Sequence, residues 1–384
     1  MRHQNSVFHS LLKHVPWHVF ARLVDKHSAD KGTRKLKTKS QLVALLYSQL
    51  DGGISLRSIE AALASHELRL YHVGAKPVRR STLSDANRVR PYQLFVELFE
   101  HMLGQANRGV RRTLAEAVRL IDSTSVRLSS LSEDWATFSA GVCGAKVHVV
   151  YDLNAERPVY FAVTPANVND ITAAKAMPIE PGATYVFDLG YYDYAWWARL
   201  DDDGCRIVTR LKSNTPLAVV SENRVGKGGN ILSDKIGHLP ARLASSRKNP
   251  LQVPVREIRI MTDTGKVLRL LTNDLDAPAE EIADLYKTRW QIELFFRWVK
   301  QNLKIKHFLG VTENAVRIQI AVAMISYLIL RLAQATQKIV RSPQMFIRLV
   351  RANLMHRRSI DNLLKPALPL PPNPNQLSFG LYFP

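Results

Sequence analysis

The sequence predicts a mixed α/β domain set between helical segments. Three observations predict it. Residues 1 to about 110 repeat apolar side chains at helical spacing, as in "SQLVALLYSQL" and "PYQLFVELFEHML". From about residue 113, segments rich in Val, Ile and Tyr alternate with short breaks, the pattern of strands. From Asp284 to Phe308 the chain runs without Gly or Pro and is full of good helix formers.

The N-terminal segment, residues 1–110, carries 17 Lys+Arg against 8 Asp+Glu. "DKGTRKLKTKS" reads as an exposed basic loop and "GGISLRSIEAAL" as a turn into a helix. In "GAKPVRRSTLSDANRVRP", Ser81 is placed to cap a short helix ending before Pro91 and decorated by Arg79, Arg80, Arg88 and Arg90. Helix, turn and short basic helix is the layout of a helix-turn-helix DNA reader. An ordinary helical hairpin with a solvated basic face is the alternative. The whole chain points the same way: 53 Lys+Arg against 33 Asp+Glu in 384 residues, a formal charge of +20, calls for a polyanionic partner, most simply nucleic acid.

Other classes are excluded. The N-terminus lacks the apolar core and cleavage site of a signal peptide. The longest apolar run, "IQIAVAMISYLIL" from Ile318 to Leu330, is too short to cross a bilayer and reads as a buried helix. Cys143 and Cys205 are the only cysteines, without CxxC or HExxH, which argues against a disulfide framework or a structural zinc. A cytoplasmic, nucleoid-associated bacterial protein without a membrane partner is expected.

The central segment, residues 113–313, opens with "RLIDSTSVRLS", "AKVHVVYDL" and "RPVYFAVTPA", which suit an antiparallel meander. "NDITAAKAM" reads as a helix, "TYVFDLGYY" as a strand ending in a turn, "DYAWWARLDDDG" as a helix and "CRIVTRLK" as a strand. Residues 213–262 break this rhythm and read as a β-rich insertion, with "VPVREIRIMTDTGKVLRLLTNDL" as a hairpin. Asp122 and Asp188 end two of the buried strands, where α/β sheets usually hold reactive groups. Each has a plainer reading: a turn or cap for Asp122, and an Asx-turn ahead of Gly190 for Asp188.

Placed at about 100° per residue, the Asp284–Phe308 helix divides into two stripes. Leu285, Ile292, Phe295, Phe296, Val299 and Leu303 form a core-facing arc. Tyr286, Arg289, Glu293, Arg297 and Lys300 form a polar arc at its shoulder, where a cleft would run. A surface ladder of i,i+4 ion pairs would look the same on this helix alone. Two strand-end Asp and a helical Glu in so basic a chain fit a divalent-metal site acting on phosphodiesters. Magnesium is held by a few carboxylates plus phosphate oxygens, and two ions about 3.5–4 Å apart can activate the attacking oxygen and stabilise the leaving one. Tyr286, Arg289 and Lys300 would then hold the flanking phosphates.

The order Tyr286, Arg289, Glu293, Lys300, with two, three and six residues between, is similar to the YREK signature of the IS4 family of bacterial insertion-sequence transposases. "LIDSTSV" and "YVFDLGYYDY" resemble that family's two Asp motifs. The resemblance implies an RNase H-like catalytic domain with a β-rich insertion, preceded by a helical DNA-binding domain and followed by C-terminal helices and a Pro-rich tail over residues 314–384. It implies a catalytic, metal-binding triad of Asp122, Asp188 and Glu293, with two Mg²⁺ ions that Mn²⁺ can replace. Cut-and-paste transposition is implied: hydrolysis and strand transfer at terminal inverted repeats of double-stranded DNA, in a synaptic homodimer with each site acting in trans. Trp290 matches a position near a flipped base; helix packing is its plainer reading. The helices carrying Arg341, Arg348, Arg351, Arg357 and Arg358 would serve dimerisation or DNA clamping. An inactive transposase-derived DNA-binding protein and an RNase H-fold host endonuclease are the rivals.

Overall fold

The computed structural model describes residues 5–52, 55–107, 117–139, 141–226, 228–243, 247–337 and 340–364. The Pro-rich tail lies outside them.

Seven helices open the chain: α1 (Val7–Leu12), α2 (Trp17–Lys26), α3 (Thr38–Asp51), α4 (Leu56–Ser65), α5 (Glu67–Leu70), α6 (Arg80–Val89) and α7 (Gln93–Asn107). Caps set several starts: Ser6 Oγ accepts from His9 N, and Ser55 and Ser58 form a reciprocal capping box. Nearly every residue of α3 is buried, its polar ones included. Gln41 is held by Asn87 and Arg90, and Gln49 accepts from Lys304 N at 2.7 Å, so their burial leaves no orphan amide.

The sheet strands are β1 (Val118–Leu128), β2 (Thr137–Ser139), β3 (Val142–Asp152), β4 (Arg157–Pro165), β5 (Thr184–Val186), β6 (Arg206–Arg210), β7 (Ala218–Glu222) and β8 (Ile231–His238). They continue with β9 (Arg242–Leu243), β10 (Arg247–Lys248), β11 (Val255–Met261) and β12 (Val267–Thr272). Interleaved helices are α8 (Glu133–Ala136), α9 (Asp170–Lys175) and α10 (Tyr194–Asp202); α11 (Ala279–Thr288), α12 (Trp290–Asn302), α13 (Glu313–Thr336) and α14 (Pro343–Asn353) follow.

Strands β4, β3 and β1 form the expected antiparallel meander, and β5 and β6 then add in parallel beside β1. The order β4-β3-β1-β5-β6, three antiparallel strands and then two parallel ones, is RNase H-like. Alternate residues feed opposite cores, as the two-residue period requires. Leu120, Val186 and Val208 face one core; Ile121, Tyr185 and Ile207 face the other. Helix α12 lies on the first face, with Phe295 packed 5.1 Å from the Tyr151 ring. Helices α9 and α10 lie on the second, where Trp196 and Trp197 are buried.

The insertion strands lengthen the central sheet in the order β6-β12-β11-β8-β7, rather than forming a sheet of their own; only β9 and β10 stand apart. The expected hairpin is β11–β12, closing at the Met261–Val267 pair. A buried bidentate pair ties it down: Arg256 donates to both oxygens of Asp234 at 2.8 and 2.6 Å and also to the Ala277 carbonyl, just before α11.

Three expectations are corrected. The run from Asp284 to Phe308 is two helices meeting at Arg289, and Leu303 onward is not helical. The Thr288 hydroxyl donates to the Leu285 carbonyl at 2.6 Å, the acceptor that an uninterrupted α-helix would give to the Arg289 N–H. That N–H turns to Tyr286 O instead, a tighter i→i−3 bond. Second, α6 starts at Arg80 behind an Arg79 cap, not at Ser81, and residues 66–79 separate it from α4. A helix-turn-helix joins its helices by a turn of about 3–4 residues, so this is not one. Third, Arg90 is only 5% exposed: it donates to Gln41 and to the Leu36 carbonyl and lies 3.7 Å from Asp30, so it is a core tether unavailable to DNA.

The Ile318–Leu330 run is a buried helix as expected, the centre of α13. By length and composition that helix could span a membrane, yet 83% of its apolar window is buried in this fold. It packs on α3, α6 and α7 and on β4, so one core runs from the N-terminal helices to the sheet. Both cysteines are free and buried.

Candidate active site

Parallel pairing creates the site. Strand β1 pairs with β5 through Val118–Thr184, Arg119–Tyr185 and Leu120–Val186. Asp188 follows two residues after β5 ends, as expected of a strand-end residue. Asp122, however, does not end its strand: it lies inside β1, which runs on to Leu128 because β3 continues to pair with it. Open α/β sheets bind ligands outside the carboxyl ends of such strands. Asp122 shares the face of Leu120, toward α12, and α12 packs on β1. Asp188 does close the Asx-turn, its Oδ1 accepting from Gly190 N at 2.8 Å, so the plain reading and the site coexist.

Glu293 reaches the site through a cation. The Arg289 guanidinium lies 2.7 Å from Glu293 Oε1 and 3.7 Å from Asp122 Oδ2. Burial opposes the charge of Arg289, but Tyr286, Glu293 and Asp122 outweigh it and raise its pKa. Asp122 shows the opposite balance. Burial, with help from Asp188 and Glu293, pushes its carboxyl up to about 7 against the pull of the Ser123 N–H and Arg289. These acids sense one another, but among the described residues no three His, Cys, Asp or Glu stand at metal-holding distance. The triad is thus not assembled at ligand spacing; Arg289 holds the gap. The donor set still fits a hard divalent cation: oxygen ligands only, with one carboxyl held against its charge by burial and by its acidic neighbours.

The remaining expected residues fall into groups. Tyr286 is buried, senses Asp188 and Arg210, and its hydroxyl pKa is raised, first by burial. Lys300 is half-buried on the Glu293 helix, and its pKa is lowered by burial and by Lys306. Trp290 is 49% exposed, so about half of its surface is covered and half is open to solvent. Arg79, Arg80 and Arg88 are exposed on or beside α6, with loose pairs Arg79–Glu60 and Arg88–Asp85 at 3.3 and 3.4 Å, and no contact joins them to the carboxylates. Toward the C-terminus, Arg341, Arg348 and Arg357 are exposed. Arg351 and Arg358 are spent inside the fold, Arg351 on the Leu50 and Asn302 carbonyls and Arg358 on Asn353 and Asn362.

Sequence reasoning missed a fourth carboxylate. Asp170, in the first turn of α9, accepts from Ser123 Oγ at 2.8 Å and lies 3.2 Å from Lys146. Its only local signal was an acid opening a helix, which commonly serves the helix dipole.

Comparison with known proteins agrees with this geometry. The model of the transposase DDE domain matches residues 114–329, and a domain of unknown function, DUF4372, matches residues 3–76. The protein y4zB of Sinorhizobium fredii, which bears a transposase name, is 42% identical over 309 residues, 78% of this chain and 85% of that protein. A Geobacillus stearothermophilus protein named for the transposase of insertion sequence element IS5377 is 31% identical over 282 residues, 71% of this chain and 72% of that one. The transposase of element IS231B from Bacillus thuringiensis is 21% identical over 250 residues, 52% of each chain. With a domain match across more than half its length and such relatives, the chain belongs to the family of DDE-domain transposases of insertion sequences.

Proposed function

We propose that this transposase moves its own element by cut-and-paste, with Asp122, Asp188 and Glu293 as the catalytic triad. The observation that carries this is Arg289 reaching both Asp122 on β1 and Glu293 on α12, with Asp188, just past the end of neighbouring β5, acting electrostatically on Asp122. The three carboxylates would hold divalent ions, two Mg²⁺ in this reading with Mn²⁺ able to substitute, and such ions polarise the scissile phosphate and acidify the attacking water or 3′-hydroxyl. Arg289 neutralises Asp122 and Glu293 in the structure; once a cation takes over that charge, its planar fork is released to a DNA phosphate. Tyr286 and Lys300 position the neighbouring phosphates, and exposed Trp290 stacks on an unpaired base, a contact worth about 1–3 kcal/mol. The basic surface binds both element ends and target DNA, and two copies act in trans on paired ends. All of this takes place in the DNA-containing compartment of the cell.

The test is to incubate purified protein, Mg²⁺ and the element's own ends, then resolve double-strand breaks and hairpins. The wild type should cut at the inverted repeats. Asp122→Ala, Asp188→Ala and Glu293→Ala should each lose detectable cleavage while still shifting end DNA in gels. A variant that cuts at the normal rate is not a triad member. Cutting without preference for the repeat would make the chain a general endonuclease, and binding without cutting an inactive derivative.

A further inference from the structure

On the far face of the sheet from Glu293, a second set of polar side chains converges on the middle of β1 and the turn after β5. Ser123 follows Asp122 and points to the opposite face, where β3 sets His148 directly across from it and Lys146 two residues further along. Asp170 of α9 closes this set. Its Oδ1 accepts from Ser123 Oγ at 2.8 Å and lies 3.2 Å from Lys146 Nζ and 3.7 Å from His148 Nδ1. Its Oδ2 faces Gly190. A Cβ built on that glycine would lie 3.0 Å from Asp188 Oδ1 and 3.4 Å from Asp170 Oδ2, so the bare α-carbon lets the two carboxylates crowd one point.

Two buried groups turn toward this corner. The Tyr191 side chain is 1% exposed, and its hydroxyl faces Ser123, Asp122, Asp170 and Asp188. His148 is fully buried; its Nε2 meets Thr164 Oγ1 at 2.8 Å, but its Nδ1, turned to Asp170, makes no hydrogen bond. Buried polar groups therefore surround Asp170 and the Ser123 hydroxyl it accepts from.

We propose that Asp170 is a positioning residue for the strand transferase site: through Ser123 it sets the stretch of β1 bearing Asp122, and across Gly190 it sets Asp188. The inference rests on Asp122 and Asp188 being the reactive pair. Asp170 is already charge-paired by Lys146, so its role is to orient its neighbours, not to bind an ion itself. Groups that orient metal ligands typically contribute 10–100-fold to metal affinity or activity.

The experiment measures Mn²⁺ binding to the DNA-free full chain by electron paramagnetic resonance, beside the Mn²⁺ dependence of end cleavage. Asp170→Asn keeps the shape and the acceptor but loses the charge. It should bind Mn²⁺ about tenfold or more weakly, need correspondingly more Mn²⁺ to cut, and retain wild-type melting and end binding. Ser123→Ala should weaken Mn²⁺ binding too, and adding it to Asp170→Asn should cost little more, since coupled residues are not additive. Wild-type Mn²⁺ affinity in Asp170→Asn, or fully additive losses, would overturn the proposal. Should Asp170→Asn fail to fold, Ser123→Ala decides alone, and normal Mn²⁺ affinity in it overturns the idea. Normal cleavage by Asp122→Ala would instead sink the triad reading on which this rests.

Discussion

Asp122 carries an electrostatic conflict at the candidate site. Buried among acids, its carboxyl titrates near 7 instead of near 3.8. A folded-state pKa raised above the unfolded one means that the native state binds the proton more tightly. The resulting stabilisation is complete below about 3.8 and is lost as pH rises through about 7. Melting temperatures measured without metal from pH 4 to 8 should therefore fall more in the wild type than in Asp122→Asn, the gap opening as pH approaches 7. Parallel curves would show that Asp122 is not strained. At the same scale, Arg90 shows why a basic residue in a basic segment is not by itself a DNA contact. Its guanidinium satisfies Gln41 and a backbone carbonyl in the core, whereas Arg79, Arg80 and Arg88 on the same segment reach solvent.

At the scale of elements, the break between α11 and α12 is the feature of consequence. It puts Arg289 at the joint, where one guanidinium meets both Glu293 on its own helix and Asp122 on β1. Leu285, in the stripe expected to face the core, is only half-buried on the α11 side of that joint, while Ile292, Phe295, Phe296 and Val299 on the α12 side are buried. Arg289→Ala and Lys300→Ala should each weaken end complexes, and each should lower the slope of log affinity against log salt by about 1, the loss of one phosphate contact. Fluorescence anisotropy across a salt series reads this directly, and an unchanged slope would mean no phosphate contact at that residue. The Arg256–Asp234 pair serves the same element differently: it anchors the insertion hairpin to the residue stretch leading into α11, so the hairpin braces the helix pair that carries the signature.

For the whole molecule, α13 is the organising piece. Fully buried from Ile320 to Ile325, it fills the space between the N-terminal helices and the β4 side of the sheet. The three segments expected from sequence therefore share one hydrophobic core in the folded chain. Truncating Ile325 to Ala leaves a cavity at that junction and should cost about 2–5 kcal/mol. Thermal unfolding of the variant should remain a single transition at lower temperature; separate melts of N-terminal and catalytic parts would contradict a continuous core. The +20 charge acts at this scale as well, drawing DNA to the surface before any site is engaged.

The polar stripe of Tyr286, Arg289, Glu293 and Lys300 is legible in the chain itself, because a helical stripe is a local pattern of 3.6 residues, whereas the strand-end reading of Asp122 missed that β1 runs on to Leu128. Local periodicities marked the antiparallel meander and the buried α13 correctly. What only the tertiary structure decided depends on elements meeting across hundreds of residues: Arg289 bridging Asp122 and Glu293, Arg90 turned inward, the insertion strands joined to the main sheet, and Asp170 brought under Asp122 and Asp188. Local spacing says which face a side chain takes. Which partner that face meets is set by how the layers pack, and no period along the chain records it.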